Sequence, residues 1–286
     1  MILVNLKGGL GNQMFQYATG RAIQIRESEK GNEQKLLLST RSFEGHETRK
    51  YALDFFNIKA GLAEPEELSK IKYPFGIFSK AWRLVAGRYL GFFNTKKFNK
   101  KYTECNKNLF LDGFFQTEKY FKEFRKEISE DFKLKTPLKD EAENILEEIK
   151  STENSVSIHF RRGDFVGNST FDLQDDNYQN RAISKIKESL DSLTFFVFSD
   201  DINWVKENYN FNNKTVFVSN SKIKDYEELI LMSNCENNII PNSTFAWWAA
   251  WLNQNPNKMV IAPTKWANGE KDTEFSETVP ESWIRV

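Results

Sequence analysis

Histidine and cysteine are nearly missing from this chain of 286 residues, with two of each. Cys105 and Cys235 stand far apart, which excludes a disulfide framework and fits a reducing compartment. His46 and His159 have no ligand partners at metal-binding spacing, so a zinc site is not expected. Net charge is absent too: forty Lys and Arg offset forty Asp and Glu, which removes the global electrostatic footprint of a nucleic-acid binder. No eighteen residues in a row are apolar, so no transmembrane helix is expected. The opening MILVNLKGGLGNQ lacks a basic leader and a cleavage pattern, so no signal peptide is expected and the default location is cytoplasmic. An Asp-x-Asp triad is also lacking, and with it the usual ligands of a metal-held sugar diphosphate.

What is present is an apolar supply large enough for a sizeable core, 40% of the residues, arranged as alternating short strands and amphipathic helices. Residues 2–6 form an apolar run that stops at Gly8-Gly9-Leu10-Gly11-Asn12. Met14, Tyr17, Ala18, Ala22 and Ile25 then follow helical spacing, and a second strand is expected at 35–38. Further on, strands are expected at 156–160, 195–198, 215–218, 238–240 and 259–262, with helices between them. This alternation implies βαβ units, a parallel sheet and an α/β fold. The polar turn 151–154 breaks the periodicity. It divides the chain into an N-terminal α/β domain over 1–152 and a C-terminal Rossmann-like domain over 153–286. Every glycine- or arginine-bearing segment falls where a strand ends, the ligand-binding edge of open α/β sheets, so a cleft between two such domains is expected.

Four segments carry the chemistry, and each has a plain structural alternative. Gly8 to Gln13, including Gly9, Gly11 and Asn12, can bring backbone amides and a helix N-terminus to an anion, or can simply turn the chain. The dinucleotide fingerprint is incomplete there, with Met14 in place of a third glycine and no acid after the second strand. Arg161-Arg162-Gly163-Asp164 can present guanidinium forks to phosphate oxygens without a metal, or form a surface ion pair. Asp164 can hold a guanidinium or meet a sugar hydroxyl, and His159 is either a satisfied core histidine or a base. Ser199-Asp200-Asp201 can cap a helix or accept from a guanine edge. Asn242-Ser243-Thr244 can cap the next helix or bind phosphate, and Trp247, Trp248 and Trp251 either pack it or stack on sugar. Residues 68–103 hold no acid and nine basic side chains among many aromatics, a solvated face or a peripheral membrane contact centred on 70–101.

Five strings taken together, GGLGNQMFQYA, LDGFFQTEKYF, HFRRGDF, FFVFSDDINWVKEN and NSTFAWWAAWL, resemble the α-1,2-fucosyltransferases of glycosyltransferase family eleven, in order and over nearly the whole chain. The resemblance implies a GT-B-like fold of two Rossmann-like domains facing a cleft. It implies GDP-fucose as donor, inverting transfer to the 2-hydroxyl of a terminal galactose, and no required metal or other cofactor. Bacterial origin fits the Lys- and Asn-rich composition. By motif, Arg161 and the helix starting at Asn242, Ser243 and Thr244 would hold the diphosphate. Asp200 would lie near guanine, with Ser199 also binding the donor, Gly9, Gly11, Asn12 and Gln13 would line the donor cleft, and Phe115 and Gln116 would face the acceptor. Asp164 and His159 are the candidate bases. A non-catalytic glycan-binding protein and a nicotinamide-dependent oxidoreductase are the alternatives from other classes.

Overall fold

The computed structural model describes residues 1–45, 49–70, 92–93, 98, 103, 108–173 and 177–286. The basic segment 70–101, with its expected membrane contact, lies almost wholly outside the described residues, as do His46 and Cys105. The chain divides into two compact units, Met1–Lys135 and Thr136–Val286. Among the described residues no helix is long and apolar enough to cross a membrane.

The first unit is built on five parallel strands in the order β3-β2-β1-β5-β4. These are β1 (Ile2–Asn5), β2 (Leu36–Ser39), β3 (Gly61–Leu62), β4 (Phe92–Phe93) and β5 (Leu109–Leu111). β1 is central because its apolar ILVN is almost wholly buried, with Ile2 in register with both Leu36 and Leu109. Between β1 and β2 runs helix α1 (Leu10–Glu29), which starts three residues earlier than the apolar spacing suggests. Its mid-helix Gly20 allows close docking, since a Cβ there would sit 2.6 Å from Val4 Cγ2 and 3.0 Å from Leu36 Cδ1. Two shorter helices follow among the described residues, α2 (Pro65–Lys70) and α3 (Arg125–Asp131). Buried Asp131 locks α3 to α1 by accepting from Tyr17 Oη at 2.7 Å and Arg21 Nε at 2.9 Å.

The second unit is a six-stranded parallel sheet in the order β11-β10-β9-β6-β7-β8. Its strands are β6 (Ser155–Phe160), β7 (Thr194–Ser199), β8 (Lys214–Phe217), β9 (Asn237–Ile239), β10 (Val260–Ala262) and β11 (Ile284–Arg285). β6 and β7 are buried along their whole length, as expected of parallel strands covered on both faces. The helices are α4 (Asp140–Ser151), α5 (Tyr178–Lys187), α6 (Ile202–Asn208), α7 (Asp225–Asn234) and α8 (Thr244–Leu252). On α8, Trp247, Trp248 and Trp251 are all buried and pack on one another, and Trp247 Nε1 donates to Thr278 O at 2.8 Å. They are core residues rather than a sugar platform.

The boundary falls between Lys135 and Thr136, not after residue 152. Helix α4 belongs to the second unit because it packs on α7. Asn220 Nδ2 reaches Glu141 Oε1 at 2.9 Å, and the Lys139 amide donates to Glu227 at 3.2 Å. The polar turn at 151–154 only joins α4 to β6, with Asn154 at φ 52°.

Both sheets share one topological feature. In the first unit the chain moves outward from β1 through β2 to β3, then returns to pair β5 on the other side of β1. In the second it moves from β6 through β7 to β8, then returns to pair β9 on the other side of β6. Each sheet therefore has a switch point, where the loops leaving adjacent strands diverge and open a crevice at the carboxyl ends. Gly20→Val is expected to lower the stability of the protein by about 1–3 kcal/mol through overpacking against Val4. Urea unfolding measures it, and an unchanged midpoint would mean that α1 does not sit this closely on β1.

Candidate functional site

At the second switch point the loops leaving β6 and β9 carry Arg161 and Asn242-Ser243-Thr244. Arg161 is held from two sides: Nη2 lies 2.5 Å from Asp164 Oδ1 and Nη1 lies 2.8 Å from Asp200 Oδ2. Asp200 also accepts the Arg162 backbone N–H on Oδ1 at 2.9 Å, so its carboxylate ties the end of β7 to the end of β6. Gly163 makes room for that approach, because a Cβ there would sit 2.6 Å from Asp200 Oδ2. Arg162 takes another course: its guanidinium carbon lies 3.4 Å from the centroid of the Trp204 ring, with Asp201 at 3.5 Å. A cavity of ≈ 130 Å³ opens here, lined by Arg161, Arg162, Phe165, Phe171, Trp204 and Asn242 among others.

Helix α8 begins beside this arginine, its Phe245 ring 5.6 Å from the ring of His159 on β6. The Ser243 side chain makes no capping bond, and the first turn carries no acid, so the amide dipoles there are not neutralised by the chain. The Asn242 amide is committed elsewhere: it donates to Phe171 O and Trp266 O, both at 3.0 Å, and so fixes the two loops beside the crevice. Ser199 is buried and structural, donating its N–H to Ser219 Oγ and accepting from the Asp201 N–H, both at 2.9 Å. Asp201, not Asp200, caps α6.

His159 is a poor base. Burial, with the Arg161 charge adding to it, pushes its pKa down to about 3, so the ring is neutral. Glu228 on α7 was not singled out by the sequence. Burial is the main cause that pushes its carboxyl up to about 7; Asp225 and Asp200 push the same way, and a hydrogen bond with Ser219 opposes them. One of three acids in the first turn of a helix, Glu228 carries no sequence signal of its own.

At the first switch point the loops leaving β1 and β5 meet, and Gln116 Nε2 donates to Asn12 Oδ1 at 2.7 Å across the crevice. Gly8 has φ 79°, a conformation that suits glycine, and a Cβ there would meet Asn12 Nδ2 at 2.6 Å. Gly9 is the N-cap of α1, with the Arg49 guanidinium 3.1 Å from where its Cβ would lie. Gly11 and Gln13 are buried. Gln13 is a staple, donating to Gly8 O at 3.0 Å and Lys50 O at 2.8 Å and accepting from the Ala52 N–H at 2.9 Å. Phe115 does not face outward: at φ 52° its ring turns into the core, edge-on to Tyr120 at 5.7 Å. Its neighbour Phe114 is the exposed one. Among the described residues no group of three or more His, Cys, Asp or Glu side chains could hold a metal ion.

The family model for glycosyl transferase family 11 matches residues 1–286. An α-1,2-colitosyltransferase of Escherichia coli is 34% identical, with 100% of this chain and 99% of the relative covered. A galactoside 2-α-L-fucosyltransferase of Bos taurus is 24% identical over 87% of this chain and 63% of its own length. Among solved structures, the fucosyltransferase NodZ from Bradyrhizobium superposes with a TM-score of 0.51 at 12% identity, covering 87% of this chain and 92% of that one. That likeness carries the fold alone, a GT-B-like pair of parallel α/β units.

Because Glu228 keeps a proton in the folded state that the unfolded chain releases above its ordinary value of 4.5, its contribution is full below that pH. It is lost as pH rises through about 7. Glu228→Gln mimics the protonated form, so the melting temperature of the unsubstituted protein is expected to fall relative to this variant between about pH 5 and pH 8. Thermal unfolding across that range checks it; a constant difference would show that Glu228 is ionised throughout.

Proposed function

The chain belongs to glycosyltransferase family 11, and on that premise we propose that it moves L-fucose from GDP-fucose to the 2-hydroxyl of a terminal galactose. Transfer inverts the anomeric carbon and needs no metal. The observation that carries this reading is Arg161, fixed at the switch point beside the unneutralised first turn of α8. A diphosphate placed there meets a guanidinium fork, helix amides and the hydroxyls of Ser243 and Thr244, which together replace the divalent cation of metal-dependent transferases.

Breaking the bond between fucose and GDP builds positive charge on the sugar and negative charge on the leaving phosphate. Stabilising the second is the larger need, and a preorganised donor of this kind is worth roughly 3–4 kcal/mol. Asp200 serves as a positioning residue, holding Arg161 before the donor arrives so that no reorganisation is needed at the reaction step. The Asp164 contact is more exposed, the kind of ion pair worth about 0–1 kcal/mol, so it can give way to a phosphate oxygen. Neutral His159 supports the first turn of α8 rather than taking the acceptor proton.

A second reading has its own support. The 34% identical relative is named for colitose, so a GDP-linked dideoxyhexose is the alternative donor.

Mass spectrometry of products from the purified protein, GDP-fucose and lactose, with EDTA present, is expected to show one deoxyhexose added to lactose, and linkage analysis then tests the 2-hydroxyl. Loss of product on chelation, restored by magnesium or manganese, would overturn metal independence. Transfer from GDP-colitose but not GDP-fucose would establish the second reading. Arg161→Ala is expected to lower turnover by roughly a hundredfold or more with the fold intact. Near-normal activity in that variant would remove Arg161 from the mechanism.

A further inference from the structure

The described part of the first unit presents a surface suited to a sugar. Phe114, on the loop leaving β5, is 45% exposed, one of four large hydrophobic side chains that stand out from the described surface. It stands at the switch point of its sheet rather than on an outer helix face. Its ring does not float free. Lys7 Nζ, from the loop leaving β1, lies 5.0 Å from the ring centroid and is itself held 2.9 Å from Asp112. Asn5 Nδ2 reaches the same Asp112 oxygen at 3.0 Å and takes a bond from Ser42 Oγ at 3.1 Å on its own Oδ1. The exposed ring thus has an ammonium over it, fixed in place by a carboxylate that an amide also holds.

The next two residues explain why the ring at 114 is the one turned out. Phe115, at φ 52°, sends its side chain into the core, and Gly113 lets that happen, since a Cβ at 113 would meet the Phe115 ring at 3.0 Å. Gln116 follows with its Nε2 spent on Asn12, while its buried Oε1 finds no hydrogen-bond partner among the described residues. A buried acceptor left open in this way costs free energy unless a donor reaches it, and a sugar hydroxyl is such a donor.

We propose that Phe114 is the stacking platform of the acceptor subsite, carrying the apolar face of a terminal β-galactoside, with the Gln116 Oε1 accepting one of its hydroxyls. This rests on the reading above that the protein is a galactoside transferase. The C–H patch of a β-galactose (C3, C4 and C5) carries slight positive charge, which the negative face of an aromatic ring attracts, while the ring hydroxyls point outward to polar groups. Phe114 is a specificity-determining residue by this account. It touches the acceptor sugar and leaves the donor to the second unit.

The test uses the full chain and separates acceptor from donor. Phe114→Ala and Phe114→Trp are compared with the unsubstituted protein in three assays: transfer from GDP-fucose to lactose, slow hydrolysis of GDP-fucose without acceptor, and GDP affinity by calorimetry. Phe114→Ala is expected to raise the KM for lactose on the order of tenfold, the size of one stacking contact, with hydrolysis and GDP affinity unchanged. Phe114→Trp, which keeps a platform, is expected to stay within about threefold of the unsubstituted protein. An unchanged KM for lactose in Phe114→Ala would overturn the platform. So would a parallel loss of hydrolysis or GDP affinity, which would make Phe114 a general support of the fold. If the unsubstituted protein hydrolyses GDP-fucose but neither binds nor fucosylates lactose or other β-galactosides, the acceptor class of the proposed function fails first, and the platform as a galactoside site fails with it.

Discussion

The Asp200 carboxylate is the joint on which the second unit's edge depends. One oxygen accepts the Arg162 N–H and the other meets the Arg161 guanidinium, so two adjacent strand ends and the principal cation are set by a single side chain. Gly163 is the condition for this, since any larger residue would press a carbon against the same oxygen. The guanidinium that the site offers an anion is set by this joint. Without it Arg161 would be one flexible surface cation paired locally with Asp164, and the stacking of Arg162 near Trp204 would lose its anchor in the backbone. An arginine fixed before its ligand arrives loses less rotamer freedom on binding, and it keeps its aim as charge develops.

Much of this was legible in the sequence, and the part that was not has a common physical cause. Strand and helix alternation, the parallel sheets and the placing of the key segments at strand ends follow from apolar periodicity and from the residues that stop it. So does the packing of Trp247, Trp248 and Trp251, whose spacing leaves no polar face for solvent. What sequence does not carry is the direction of a side chain on an irregular loop. Phe114 and Phe115 are identical residues side by side, and only the positive φ of the second decides which is core and which is surface. Asn242 and Gln13 look like ligand groups because amides often are, yet each spends its amide bracing the loops around a crevice. The boundary was displaced for a related reason. A polar turn marks a break in secondary structure, whereas a unit boundary depends on which core the neighbouring helix packs against, and α4 packs on α7.

The two units repeat one device with different chemistry. Each has a switch point flanked by the loops of two adjacent strands and by the N-terminus of a helix. In the second unit the flanking groups are a guanidinium and hydroxyls, suited to phosphate. In the first they are amides, an exposed ring and a lysine already neutralised by Asp112, suited to a neutral polyol. Fold alone does not assign these roles, since the same architecture serves many reactions. The assignment comes from which side chains the shared geometry presents.

Local charge alone does not favour an anion at the second switch point. Around Arg161 and Arg162 stand Asp164, Asp200 and Asp201, so the immediate cluster has no surplus of positive side chains. The whole chain is neutral as well, which leaves little long-range steering of an anion. Affinity for a diphosphate must then come at contact distance, from N–H groups already pointed at the ligand and from a helix end with no acid in its first turn. The raised pKa of Glu228 belongs to the same balance. With Asp225 and Asp200 nearby, a further carboxylate adds repulsion, and burial together with these neighbours raises the Glu228 carboxyl to about 7. A braced arginine beside a helix end with no acid in its first turn suits a ligand recognised by fit at short range.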